Sequence, residues 1–199
     1  MEIYVSKKRK HFSVPKDLLV YYSGYFGRRL DPSIEKQEAD RDQFLLEDDA
    51  DDFGLIVDYI YRGAVINALP EYGDVLKVER CISFIKLTGK LEIGEAASVI
   101  YPALKTILAR NATSADPTAL VTSQLIRIAF ETIPTRNNVL ELLARATLPE
   151  TLKPRGGNYA NELEVCDAFA AESWRQFQAV RENLQLSFPL SNHKKKTFI

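Results

Sequence analysis

Two histidines, His11 and His193, and two cysteines, Cys81 and Cys166, are all the imidazole and thiol chemistry this chain of 199 residues offers. The four lie far apart, and no two have the short spacing that puts a pair of ligands on one zinc ion. Each cysteine falls inside an apolar periodic pattern, which suits a buried thiol in a reducing compartment better than a disulfide. Carboxylates are more numerous, and Asp48, Asp49, Asp51 and Asp52 stand close together. Calcium binding is one reading of that cluster, but the central glycine and distal glutamate of an EF-hand are missing. Acids just ahead of an apolar helical stripe suit a helix N-terminus instead, where they meet free N–H groups and the positive end of the dipole. Gly24-Tyr25-Phe26-Gly27 is no phosphate loop, because aromatics fill the positions whose amides must be open. No G-x-x-x-x-G-K-[ST] and no G-x-S-x-G occurs. The expectation is a protein with no catalytic residue, no metal ligand and no cofactor.

The residues left over suit contact with other proteins. Tyr22 and Tyr25 are candidate interface anchors, with Phe26 and Leu30 beside them read as core. Lys7-Lys8-Arg9-Lys10 is too charged to pack and reads as a hairpin tip, with nuclear import as its alternative. Trp174 and Phe177 are expected to close the core between the two halves of the chain. Net charge is −1, with 46% hydrophobic and 27% charged residues. That composition supports a globular fold but not the positive field that phosphate backbones require, so nucleic acid is not expected as the primary partner. No run of about 20 apolar residues and no signal peptide is seen, so no membrane association is expected and the chain is placed in the cytoplasm or nucleus. The Asn111-Ala112-Thr113 sequon is accordingly read as chance.

The elements that would position these residues are legible from periodicity. Strands are expected at Ile3–Ser6, Phe12–Val14, Phe44–Leu46 and Ala64–Ile66. A helix starts near Asp17, and Asp31-Pro32 suits a helix start or a loop. Phe53, Ile56, Val57 and Ile60 make a helical stripe that Gly63 ends, with Tyr59 and Tyr61 straddling it so that one packs and one shows. Val78, Cys81, Ile82 and Ile85 make the next stripe, running out near Thr88-Gly89. A further stripe from Ala96 to Leu108 is interrupted by Pro102, which predicts a kink or two abutting helices. Beyond a polar boundary at 111–117, helices are expected over Thr118–Ile133 and Asn138–Ala146. A loop with Pro149, Pro154, Gly156 and Gly157 then leads to a long helix from Tyr159 to Leu184, and a frayed basic tail closes the chain. Cys166, Ala170, Phe177, Val180 and Leu184 share one stripe of that helix.

Three blocks in order carry a resemblance. His11-Phe12-Ser13-Val14-Pro15-Lys16-Asp17-Leu18-Leu19 with Ser23-Gly24-Tyr25-Phe26 resembles the opening of a BTB/POZ domain. Phe44-Leu45-Leu46-Glu47-Asp48-Asp49, continuing through Phe53, Ile56, Val57, Tyr59, Ile60, Tyr61 and Gly63, looks like that family's strand, acidic cap and following helix. Cys81 through Ile93, with Lys90-Leu91-Glu92-Ile93, is similar to its third block. The style of the chain is closest to fungal-type BTB proteins with a C-terminal helical extension.

The resemblance implies an α+β fold, a small β-sheet with a cluster of α-helices, over residues 1–110. A mainly α-helical extension would follow over 111–199. It implies protein–protein interaction, by self-association with a possible homodimer or by recruiting a partner. Two narrower roles are implied as alternatives: substrate adaptor of a cullin-type ubiquitin ligase, and transcriptional co-regulator. For the second, Lys16 matches the basic member of the family's partner-peptide pocket and Glu2 is the candidate acidic member. Several positions depart from the pattern. Pro15 stands where the family usually has histidine, and the chain starts too near its first strand to include the helix that some dimers exchange. Glu79 is preceded two positions earlier by Lys77, not by the hydrophobic residue of the cullin anchor.

Overall fold

A computed structural model describes residues 1–31, 43–65, 73–111 and 120–187. The strand β1 (Glu2–Val5) pairs antiparallel with β2 (Lys10–Ser13) and parallel with β3 (Gln43–Leu46), giving the order β2-β1-β3. Alternation divides the sheet as a strand must. Ile3, Val5, Phe44 and Leu46 point inward and are buried, while Leu45 points outward. Both ends of the basic turn take the left-handed conformation, Ser6 at φ 66° and Arg9 at φ 51°, which closes the hairpin.

Helices cover the inner face of the sheet. They are α1 (Lys16–Tyr22), α2 (Gly24–Arg29), α3 (Ala50–Arg62), α4 (Asp74–Lys90) and α5 (Ala96–Asn111). The acidic run caps α3 as expected: Asp49 accepts from the N–H groups of Asp51 and Asp52 at 3.0 and 3.2 Å. Gly63 ends that helix in the left-handed region at φ 66°, where a side chain would be strained. Tyr59 packs and Tyr61 shows, at 8% and 54% exposure. The strand expected at Ala64–Ile66 does not form where it is described. Val65 is fully buried yet pairs with no strand among the described residues, so its apolar neighbourhood signals core and not sheet. Ile66 lies outside the described residues, as do Pro32 and the segment it would begin.

Pro102 divides nothing. The helix α5 is continuous through it. An interior proline costs about 3 kcal/mol. Burial of Ile100, Leu104 and Ile107 on both sides of it offsets that at roughly 1.5–3 kcal/mol per side chain.

The remaining helices are α6 (Ser123–Thr132), α7 (Asn138–Thr151), α8 (Ala160–Val165) and α9 (Asp167–Ser187), with a 3-10 helix at Pro154–Tyr159. The helix α6 begins later than expected because Thr122 caps it, accepting from Leu125 N–H at 3.2 Å; the Asp116-Pro117 start lies outside the described residues. The helix α7 runs past Ala146 and through Pro149, since its buried stripe continues to Leu148 and Glu150. The long helix expected from Tyr159 is two, broken where Cys166 leaves helical geometry at φ −120° and ψ 89°.

Along α9 the inner face is not the expected stripe. Phe169 is fully buried, with its ring centroid 5.2 Å from that of Phe130, and Glu172, Ser173 and Gln176 continue inward from it. Gln176 ties the seam, donating to Glu172 at 2.8 Å and accepting from Arg145 Nε at 3.1 Å. Trp174 is 61% exposed and stacks on Phe177, so it does not close the core between the two halves. One buried cluster nevertheless joins sheet, α3, α4, α5, α6 and α7. Among the described residues no helix is long and apolar enough to cross a membrane.

Candidate functional site

The helix α1 has only seven residues and is anchored by Leu19, which is buried. Opposite that anchor stand Asp17, Val20 and Tyr21 at i, i+3 and i+4, the spacing of one helical face. Val20 is 41% and Tyr21 82% exposed. Tyr22 and Tyr25, the candidates from sequence, are each half-buried. Tyr22 stacks edge-on between Tyr21 and Tyr59, with centroids at 5.1 and 6.1 Å, and Tyr59 in turn meets Phe84 at 5.8 Å. Tyr25 lies beside Phe26, and the Arg29 guanidinium sits over its ring at 5.4 Å. Phe26 and Leu30 are core. Tyr22 therefore braces the surface and Tyr21 presents it, while Tyr25 packs on α2. Sequence reasoning passed over Tyr21, although its i+4 relation to exposed Asp17 was a signal.

Behind this surface the α1–α2 corner is bonded to the chain after α4. The N–H groups of Gly24 and Tyr25 donate to the carbonyls of Glu92 and Leu91 at 3.2 and 3.4 Å. Arg28 grips the Glu92 carboxylate with both terminal nitrogens. Ser23 and Ile93 form an isolated antiparallel bridge. The first and third sequence blocks thus meet in space, and together they fix the direction in which α1 projects.

Glu2 and Lys16 are not brought together as a charge pair. Glu2 pairs with His11 and accepts from Ser13 Oγ at 2.9 Å. The hydrogen bond from His11, and next that from Ser13, hold its carboxyl below the ordinary range. Lys16 is exposed at the start of α1 and makes no ion pair among the described residues.

The acidic cluster is neutralised from within the protein. Arg80 on α4 reaches Asp49 and Asp52 at 2.9 and 2.6 Å and Asp51 at 3.6 Å. Lys10 pairs with Asp51 at 3.1 Å and Lys90 with Asp48 at 2.8 Å. Burial pushes the Asp52 carboxyl up in spite of Arg80. Asp49, only partly desolvated, is held below its ordinary value by Arg80 and by the N–H groups it caps. Among the described residues no three His, Cys, Asp or Glu side chains converge as metal ligands would. Burial pushes the Cys81 thiol up to about 12, so it is inert as a nucleophile at neutral pH.

The arrangement is thus an exposed aromatic-tipped helix on a rigid corner, with ionisable groups spent on structure. A family model described as BTB/POZ domain matches residues 1–93. No curated protein and no solved structure matches the chain.

Proposed function

Residues 1–93 form a BTB/POZ domain, a protein–protein interaction domain, and on that premise we propose that the chain is a non-catalytic interaction protein of the cytoplasm or nucleus whose contact surface is the outer face of α1. The exposure of Tyr21 carries this reading. A tyrosine 82% exposed on a helix fixed at its base supplies large contact area at little entropic cost on binding. Val20 adjoins it, Tyr22 supports it from below, and Lys16 and Asp17 rim it. Self-association of two such faces is the primary reading, because an isologous pairing needs only one patch.

Light scattering over a concentration series tests this. The expected mass exceeds that of one chain, and Tyr21→Glu returns it to one chain. A wild-type mass that stays at one chain at every concentration removes self-association and leaves recruitment of a different protein. Cullin adaptor and transcriptional co-regulator are narrower forms of recruitment, and neither is favoured. Lys77 stands two residues before Glu79 where the cullin anchor has a hydrophobic residue. The Glu2 carboxylate is already engaged by His11 and Ser13.

A further inference from the structure

The outer face of the sheet is a second surface. Paired strands arrange its side chains in cross-strand rows. Ser13, Glu2 and Gln43 form a polar row, and His11, Tyr4 and Leu45 form the next. Leu45 is 62% exposed, and the rings of Tyr4 and His11 lie 5.2 Å apart. Tyr4, Arg9, Gln43, Phe44 and Leu45 line a pocket of about 390 Å³.

Two features show what would fill it. Among the described residues the strand β3 is an edge of this sheet, with no neighbour beyond it. Ser6 N–H donates to the Leu46 carbonyl at 2.8 Å, so Leu46 turns its backbone toward β1. In a parallel pair neighbouring residues alternate, which turns the N–H and C=O of Leu45 to the outer edge. An unpaired edge carrying an exposed leucine is a template for another extended segment. The second feature is Arg9, which among the described residues is the one charged side chain lining the pocket; it is exposed and makes no ion pair among them. Its turn is held in place: Ser6 Oγ accepts from Lys8 N–H at 3.2 Å and the Ser6 carbonyl accepts from Arg9 N–H at 3.0 Å.

We propose that the outer edge of β3, with the Tyr4–Leu45–Arg9 pocket, binds an extended peptide of a partner protein in which an apolar and an acidic side chain stand two residues apart, on the face turned to the pocket. Backbone bonds to Leu45 align the peptide, an apolar side chain covers Leu45 and Tyr4, and a carboxylate takes the Arg9 guanidinium in a two-point pair. A second copy of β3 fits less well, because Gln43–Leu46 offers Arg9 no carboxylate. This rests on the reading of the chain as an interaction protein, but it uses a different surface from α1.

A random dodecapeptide library displayed on phage, panned against the full chain, tests it. Selected peptides are expected to carry an apolar residue and an acidic residue two positions apart. Their affinity, read by fluorescence anisotropy, is expected to fall about tenfold or more in Arg9→Glu and in Leu45→Lys, as loss of a charge-assisted pair or a central anchor does. Both positions are exposed, and an unchanged far-ultraviolet circular dichroism spectrum verifies the fold of each variant. Hydrogen exchange at the Leu45 amide is expected to slow on binding. The proposal is overturned if panning yields no binder, if the selected peptides are basic, if both substitutions leave affinity unchanged, or if Leu45→Lys instead abolishes self-association of the chain. Any of these together with a Tyr21-dependent dimer sinks the β3 site alone and leaves the α1 surface standing.

Discussion

Ser23 joins two parts of the chain with one hydroxyl: it donates to the Leu91 carbonyl at 2.5 Å, 68 residues away, and accepts from Phe26 N–H at 3.2 Å. The side chain is buried, so water cannot replace either bond. Ser23→Ala removes a helix cap and one of the two bonds to the Leu91 carbonyl, which keeps Tyr25 N–H at 3.4 Å. The expected loss is about 2 kcal/mol, combining a cap of ~1 with one buried hydrogen bond of ~1. Urea denaturation of the full chain measures it, and a loss within error of zero would show that the corner is held by packing alone.

Arg80 is the hub of the acidic cluster. Arg80→Met leaves Asp49 and Asp52 without their shared cation. Asp52 is the costly one because it is mostly buried, and about 2 kcal/mol is expected, below the 3–5 of a fully buried pair. Adding Asp52→Asn to Arg80→Met is expected to recover part of that. Millimolar calcium is expected to leave the wild-type melting temperature unchanged. A clear calcium-dependent rise would instead make the cluster a cation site.

Glu162 links α8 to α6. It is buried, accepts from Ser123 Oγ and Arg127 Nε at 3.0 Å each, and pairs with Arg127 Nη2 at 2.9 Å. Burial alone would raise its carboxyl, but Ser123 and Arg127 outweigh burial and leave it lowered from 4.5. A carboxyl lowered on folding contributes stability that is present above its unfolded value and lost as pH falls through its folded value. Glu162→Gln is therefore expected to be less stable than wild type at pH 7. The gap should narrow as pH drops below 4.5. Thermal melts of both proteins from pH 7 to pH 3 check this, and a constant gap would contradict it.

Two glycines separate backbone strain from crowding. Gly63 and Gly157 both take positive φ, 66° and 55°. A methyl group on Gly63 meets no atom of the described residues within 4 Å, whereas on Gly157 it would lie 2.5 Å from the Glu150 carbonyl oxygen. Gly63→Ala is expected to cost about 1 kcal/mol from the left-handed conformation alone. Gly157→Ala is expected to cost about 2–3 kcal/mol, because the α7 end must also shift. Equal losses in chemical denaturation would contradict the distinction.

Local signals were readable where chain neighbours do the work. Asp49 capping α3 and Gly63 ending it follow from composition over a few residues. The hairpin was readable too, because Phe12 and Val14 alternate with polar Ser13; Phe44-Leu45-Leu46 has no such alternation and was legible only as a short apolar run. Long-range partners were not. Ser23 belongs to a recognisable block, but nothing in that block names Leu91, and the acidic run does not name Arg80. Trp174 was expected inside because large aromatics usually are. The α9 interface is filled instead by Glu172, Ser173 and Gln176; the Gln176 bonds to Glu172 and Arg145 make burial of those two tolerable, while the Ser173 hydroxyl has no partner among the described residues. Periodicity of apolar residues cannot register such a seam. Tyr21 was missed for a related reason: in a helix of seven residues, a shift of one position changes which tyrosine faces outward.

Family likeness ends at residue 93, but the shared core does not. Ile100 and Leu104 of α5 and Ile126 and Ala129 of α6 are fully buried in the cluster that contains Ile3 and Phe53. The unit that can be inherited is then smaller than the unit that can melt. Heating should give a single cooperative transition, with the aromatic rings of the sheet and those around Phe169 losing order at one temperature. Changes at Ile126 would be felt at the β-hairpin, and residues 1–93 expressed alone would offer solvent the greasy flank of α4.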